Sequence, residues 1–112
     1  MIPLDFILEI PAVVGIIFII TGIIMQLFPP KKINPLYGYR TRSSMQNQQK
    51  WDFSQKYSAK LLTIIGVFLL LISTLNFFFN LQGDLEKTIS AILIIGSVIF
   101  LVIKTENKLK NL

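Results

Sequence analysis

A chain of 112 residues, 53% hydrophobic and only 15% charged, is long enough for one domain and too apolar for an ordinary soluble one. It contains no cysteine and no histidine, which excludes disulfides, thiolate nucleophiles and cysteine-ligated metals and removes the commonest metal ligand and general base near neutral pH. A net charge of +5 is modest for a nucleic-acid binder, so no direct nucleic-acid contact is expected; in a membrane protein such a charge reports basic cytoplasmic loops beside anionic lipid.

The first nine residues carry Asp5 and Glu9 but no Lys or Arg. They lack the positive flank and small-residue cleavage site of a secretory signal, so they are expected to remain in the mature protein. Residues 10–28 then run without a charge. As a helix they reach roughly 28 Å, close to the hydrocarbon thickness of a bilayer. Pro11 falls in the first turn, where a missing N–H costs nothing, and Pro29-Pro30 stops the helix.

Residues 31–60 form the one long polar stretch. Asn34-Pro35 and Tyr37-Gly38 are turn signals, so 33–42 reads as an ordered, irregular loop. Ser43 or Ser44 is a good N-cap, with Gln46 placed to complete a capping box, and a helix is expected to start near Ser44. Its first part, Met45 to Ala59, sets Trp51, Ser54, Tyr57 and Ser58 along one side. It either bends into the next span or lies flat in the headgroup region as an interfacial helix.

A second uncharged run covers 61–79, an acidic turn 80–87, and a third apolar run 88–103. The third reaches only about 24 Å as a helix, so Leu85 and a snorkelling Lys104 are expected to extend it. The tail, 104–112, is polar and mildly basic. The 31–60 segment holds Lys31, Lys32, Arg40, Arg42, Lys50, Lys56 and Lys60, the tail holds Lys104, Lys108 and Lys110, and the opposite side holds only Lys87. This places the N-terminus outside and the long loop and C-terminus in the cytoplasm. The expected fold is an all-α polytopic membrane protein, one domain over 1–112. It has three transmembrane helices, with a cytoplasmic loop (29–60) and an interfacial helix between the first and second.

Small or polar residues recur at seven-residue spacing: Gly15 and Gly22; Gly66, Ser73 and Asn80; Ser90 and Ser97. Such faces let membrane helices approach closely, and packing is the favoured reading over a polar substrate path. No span holds an ionisable residue, which argues against a pump or transporter acting alone and leaves room for a homo-oligomer.

The loop core, Asn34-Pro35-Leu36-Tyr37-Gly38-Tyr39-Arg40-Thr41-Arg42, offers two tyrosines, a permissive glycine and two guanidiniums at a membrane surface. Tyr37 and Tyr39 are suited to sit with rings in the interface and hydroxyls in water. For Arg40 the plainer reading is that it ties the loop down through backbone carbonyls or a lipid headgroup. The functional reading is that Arg40 and Trp51 form a docking surface. The candidate partner- or lipid-binding residues are Asn34, Tyr37, Gly38, Tyr39, Arg40, Thr41, Trp51 and Gln55.

These residues, followed by Ser43-Ser44 and then Trp51 with Ser54-Gln55-Lys56, resemble the SdpI family of small bacterial membrane proteins. That family's pattern is an Asn, a Gly-x-Arg-Thr loop, a Trp about ten residues on, and an Ala-Asn-Arg-like step into a helix. Gly38, Arg40, Thr41 and Trp51 match it, with Asn34, Pro35 and Tyr37 in agreement. Ser54, Gln55 and Lys56 depart from it where Ala, Asn and Arg are usual. The resemblance covers about residues 15 to 80 and implies a bacterial inner-membrane protein. The family's namesake, which is longer, gives immunity against a secreted, membrane-active peptide toxin and draws a small cytoplasmic repressor to the membrane. The expected function is accordingly a non-enzymatic immunity or signalling protein. An accessory subunit of a larger transporter or peptide-processing complex is the alternative. An enzyme ranks last: Asp52 is the only carboxylate in 31–60, and Asp5, Glu9, Asp84, Glu86 and Glu106 are dispersed along the chain. No cofactor is expected, and the expected partners are the bilayer and either a peptide toxin or a small repressor.

Overall fold

The computed structural model describes residues 10–79 and 83–112. Over these residues the chain is all-helical: α1 (Ile10–Leu27), α2 (Gln48–Phe79) and α3 (Gly83–Lys110). Helices α2 and α3 are long and apolar enough to cross a membrane, and α1 is a shorter apolar helix. The expectations for residues 1–9 and for Asn80 to Gln82 lie outside the described residues.

α1 ends where Pro29-Pro30 removes two donors, with Phe28 N–H bonded back to Ile24 at 2.7 Å. It packs chiefly along α2. The contact is set by glycines. A Cβ on Gly15 would stand 2.8 Å from the Gly66 carbonyl oxygen, and one on Gly66 would stand 2.6 Å from the Gly15 carbonyl oxygen. A Cβ on Gly22 would strike the Thr63 hydroxyl and lie 2.8 Å from the Ala59 carbonyl oxygen. Backbone thus meets backbone along this seam, the contact that small residues allow between membrane helices. Gln26 also reaches across to donate to the Thr63 hydroxyl at 2.9 Å.

α2 is one continuous helix of 32 residues, roughly 48 Å long. It accounts for nearly the whole 50 Å length of the molecule. Residues 48–60 therefore continue straight into the apolar half and do not lie as a separate flat segment. The helix starts later than expected. Asn47 is its N-cap, accepting the Lys50 N–H at 2.8 Å. Ser44 is not the cap, because its hydroxyl is spent inside the preceding turn, accepting the Thr41 N–H at 2.8 Å and donating to the Thr41 carbonyl at 2.9 Å. The Ser43–Gln46 capping box gives way to a simple turn, Gln46 N–H to the Ser43 carbonyl at 3.4 Å.

α3 is longer than the third apolar run at both ends. Asp84 and Glu86, expected in a turn, occupy its first turn, where carboxylates complement the helix dipole. At the other end the expected tail is helical to Lys110, and Thr105 and Leu109 are buried. Leu101, Thr105 and Leu109 continue one face of the helix at four-residue spacing, so the polar end stays docked instead of fraying. α3 packs mainly on α2, where Ser73 and Ser90 are buried and Asn76 donates to Glu86 at 3.1 Å.

Candidate functional site: a loop clasped by two helix ends

Residues 28–47 fold into a compact loop held against the polar end of α2. Its first anchor is Asn34, whose side-chain oxygen accepts the N–H groups of Leu36 (2.9 Å) and Tyr37 (2.7 Å) while its amide donates to the Lys32 carbonyl at 2.9 Å. This is the turn that asparagine makes with its own backbone. Tyr37 donates its hydroxyl to the Phe28 carbonyl at 2.8 Å. The prolines leave the end of α1 short of N–H donors, and a side chain supplies one. Arg40 Nε donates to the Asn34 carbonyl at 2.9 Å, closing the turn from the far side.

The second anchor is α2 itself. Trp51 is fully buried, and its indole N–H donates to the Pro30 carbonyl at 2.7 Å. That bond joins the end of α1 to the start of α2. One turn on, the buried Gln55 amide pairs with the backbone of Tyr39 in both senses. Its oxygen accepts the Tyr39 N–H at 2.7 Å, and its nitrogen donates to the Tyr39 carbonyl at 2.8 Å. Gln55 thereby replaces one rung of a β-ladder and satisfies both polar groups of a buried residue. Gly38 makes the approach feasible: its φ is +104°, and a Cβ there would strike Gln55 Oε1 and stand 2.7 Å from the Pro30 ring.

The third anchor comes from the far end of the chain. Glu106 of α3 accepts hydroxyl hydrogen bonds from Tyr39 and Thr41, both at 2.7 Å to the same oxygen. Exposure alternates from Tyr39 to Arg42: Tyr39 is buried and Thr41 half-buried, while Arg40 and Arg42 are exposed. That period of two is the geometry of an extended segment, one face toward Glu106 and the other outward. Burial alone would raise the Glu106 pKa, but hydroxyls from Tyr39, Thr41 and Ser43 and the charge of Lys110 outweigh it, and the carboxyl is held below its ordinary value. The Tyr39 phenol is pushed well above its usual range, by burial first and by its bond to the Glu106 carboxylate second.

Among the eight candidate residues, Trp51, Gln55 and Tyr39 are buried and serve the inside of the clasp. The aqueous placement expected for the Tyr39 hydroxyl is corrected by its bond to Glu106. Gly38 and Asn34 shape the turn, Thr41 binds Glu106, and Arg40 and the partly exposed Tyr37 lie at the surface. Among the described residues Leu36 is the most exposed large apolar side chain, at 91%. Sequence reasoning missed Glu106 as a member of the site. Its only signal was the apolar–polar face of Leu101, Thr105 and Leu109 running past the end of the third apolar block.

The architecture defines a small helical membrane protein whose polar loop is locked onto the ends of its own helices. The family model of the SdpI/YfhL protein family matches residues 31–105, and the chain belongs to that family. That match takes in the loop from Lys31 onward and ends one residue before Glu106. The chain is 44% identical over 96 residues to a Bacillus subtilis (strain 168) protein described as "Uncharacterized protein YfhL", covering 86% of this chain and 82% of that protein. No solved structure matches.

Proposed function

We propose that this chain is a non-enzymatic protein of the bacterial inner membrane with three spans, near 10–28, 61–79 and 88–103. In this reading its N-terminus is outside and its loop and C-terminus are cytoplasmic. The lysine and arginine asymmetry supports the orientation. The uncharged α1, packed backbone to backbone on α2 and apolar on its outer face, supports the first span. The loop's role is to bind: it gives protection against a membrane-active peptide toxin, recruits a small cytoplasmic repressor, or both. The observation that carries this is the division of labour within the clasp. Its inner residues satisfy one another, and Leu36, Arg40 and Arg42 remain outward as a fixed apolar and cationic surface.

The accessory-subunit alternative rested on the small-residue faces, and Gly15, Gly22 and Gly66 are already spent between α1 and α2. The test is a challenge with a membrane-active peptide toxin in a sensitive bacterium. It compares wild type, Arg40→Ala/Arg42→Ala and an empty vector, with insertion checked for each. Protection by wild type and its loss in the double variant is the expected result. Equal protection by both refutes the loop as the working surface, and no protection by an inserted wild type refutes immunity to that toxin.

A further inference from the structure

At the end of the molecule away from the loop, α2 and α3 border a recess of about 170 Å³ that Pro11, at the start of α1, also lines. Its polar lining is Ser73 and Asn76 from α2 and Glu86 and Ser90 from α3. We propose that this recess binds a small primary alkylammonium, with the ammonium held by Glu86, Ser73 and Ser90 and the alkyl group against the apolar walls. The site lies apart from the loop and does not depend on the loop's role.

Unspent hydrogen-bonding capacity points to a ligand. Ser73 and Ser90 are each 5% exposed. A hydroxyl inside a helix commonly bonds the carbonyl four residues back, as Thr74, Ser97 and Thr105 do here. Among the described residues neither the Ser73 nor the Ser90 hydroxyl has a hydrogen-bond partner. No side-chain oxygen sealed from the surface lacks a partner among these residues, so both hydroxyls open onto the recess they line. An unpartnered hydroxyl in apolar surroundings is costly, and a ligand that donates to it removes that cost. The charge comes from Glu86. Among the described residues its carboxylate accepts one hydrogen bond, from Asn76, and forms no ion pair. A carboxylate can accept about four.

Helix spacing brings these acceptors together. Glu86 and Ser90 lie four residues apart on α3, and Ser73 and Asn76 three apart on α2, so each pair shares a helix face. The Asn76–Glu86 bond sets the antiparallel register, which puts Ser73 and Ser90 at one level, about 5 Å inward of the carboxylate. A primary ammonium has three N–H donors and no acceptor, which suits one carboxylate and two hydroxyls. The other walls are apolar, Leu75, Phe79 and Leu93 among them, and no Lys or Arg lines the recess. A bare metal ion would leave those walls unused. An ethanolamine headgroup would bring a phosphate among them with no cation to meet it. The volume lies below the roughly 300–1,000 Å³ of drug-sized sites, so the ligand is small.

The test uses n-butylammonium as the probe. The full chain is kept in mild detergent, and binding is read by NMR from the Asn76 side-chain amide. Saturable shifts with n-butylammonium and none with 1-butanol are expected. Glu86→Gln keeps an acceptor for Asn76 and should weaken binding about tenfold or more. Ser73→Ala/Ser90→Ala should weaken it on the order of tenfold. Asp84→Asn, at an exposed carboxylate that does not line the recess, should leave it unchanged. Tetramethylammonium carries the charge without a donor and should bind about tenfold more weakly or worse. Saturation by 1-butanol, equal binding of tetramethylammonium, or undiminished affinity in Glu86→Gln or in the double serine variant, each with the Trp51 emission of wild type, overturns the proposal. So does displacement of the probe by equimolar sodium or by phosphatidylethanolamine, which would give the recess to a metal ion or to a lipid headgroup.

Discussion

Replacing Gln55 with alanine measures what the clasp contributes. In the native loop both polar groups of the Tyr39 backbone are buried and bonded to the Gln55 side chain at 2.7 and 2.8 Å. Alanine leaves that N–H without a partner and that carbonyl with only the longer bond from the Ser44 hydroxyl at 3.3 Å. Each such loss costs about 1–3 kcal/mol when the group stays buried. The two are neighbours and do not add fully, so a total of about 3 kcal/mol is expected. A change of that size raises the population of the open loop about a hundredfold. Hydrogen exchange at the Tyr39 amide reads it directly, because local opening governs its protection. Amides in the apolar half of α2 should keep their protection, since the perturbation is confined to the loop. Gln55→Asn should fall between wild type and alanine, keeping the paired geometry with one methylene less. Unchanged protection at Tyr39 in the alanine variant would refute the reasoning, because the amide would then be held by something other than Gln55.

Other consequences of the same geometry are open to test. Gly38→Ala forces an L side chain into φ +104° and against Gln55, and should destabilise the loop by about 2 kcal/mol or more. Trp51 is the only tryptophan, so a red shift of its emission reports that opening. Gly22→Leu drives a side chain into Thr63 and the Ala59 carbonyl; it should separate α1 from α2 and lower the thermal midpoint in detergent, while Gly96→Leu leaves it unchanged. The clasp should also depend on pH at both extremes. Glu106 has a lowered folded pKa, so its contribution is present above the ordinary carboxylate value of about 4.3 and is lost as pH falls through the folded value. Tyr39 has a raised folded pKa, so its contribution is complete below about 10 and is lost as pH rises beyond it toward the folded value. Trp51 emission against pH should show both limbs in wild type, and Glu106→Gln should abolish the acid limb.

The helices were largely legible because membrane helices are written in long uncharged runs. The end of α1 was marked by Pro29-Pro30 and that of α2 by the acidic turn, and both fall within a residue of expectation. The start of α2 was not, because Ser43, Ser44 and Asn47 are all competent caps. Tertiary demand decided among them by engaging Ser44 in the Thr41 turn. The loop motif was legible as a unit, but the division of its residues was not. Composition suggests that Trp51 and Tyr39 meet a partner, whereas the fold turns both inward and leaves Leu36 outside. Glu106 was hidden for a different reason. Its partners lie 65 and 67 residues away, and a single carboxylate in a basic tail has the look of a solvated charge. Long-range polar pairing carries no periodic signal in one sequence.

Thiol labelling tests the central claim, a polar loop folded onto α2 at the cytoplasmic face. The chain has no cysteine, so single introduced thiols give a clean background. Leu36→Cys, at a site 91% exposed, should react with a membrane-impermeant maleimide in inverted vesicles and not in intact cells. Ser54→Cys, nearly isosteric at a site with no exposure, should react in neither until denaturant opens the loop. Rapid labelling of Ser54→Cys in native vesicles would contradict the clasp, and labelling of Leu36→Cys in intact cells would contradict the orientation.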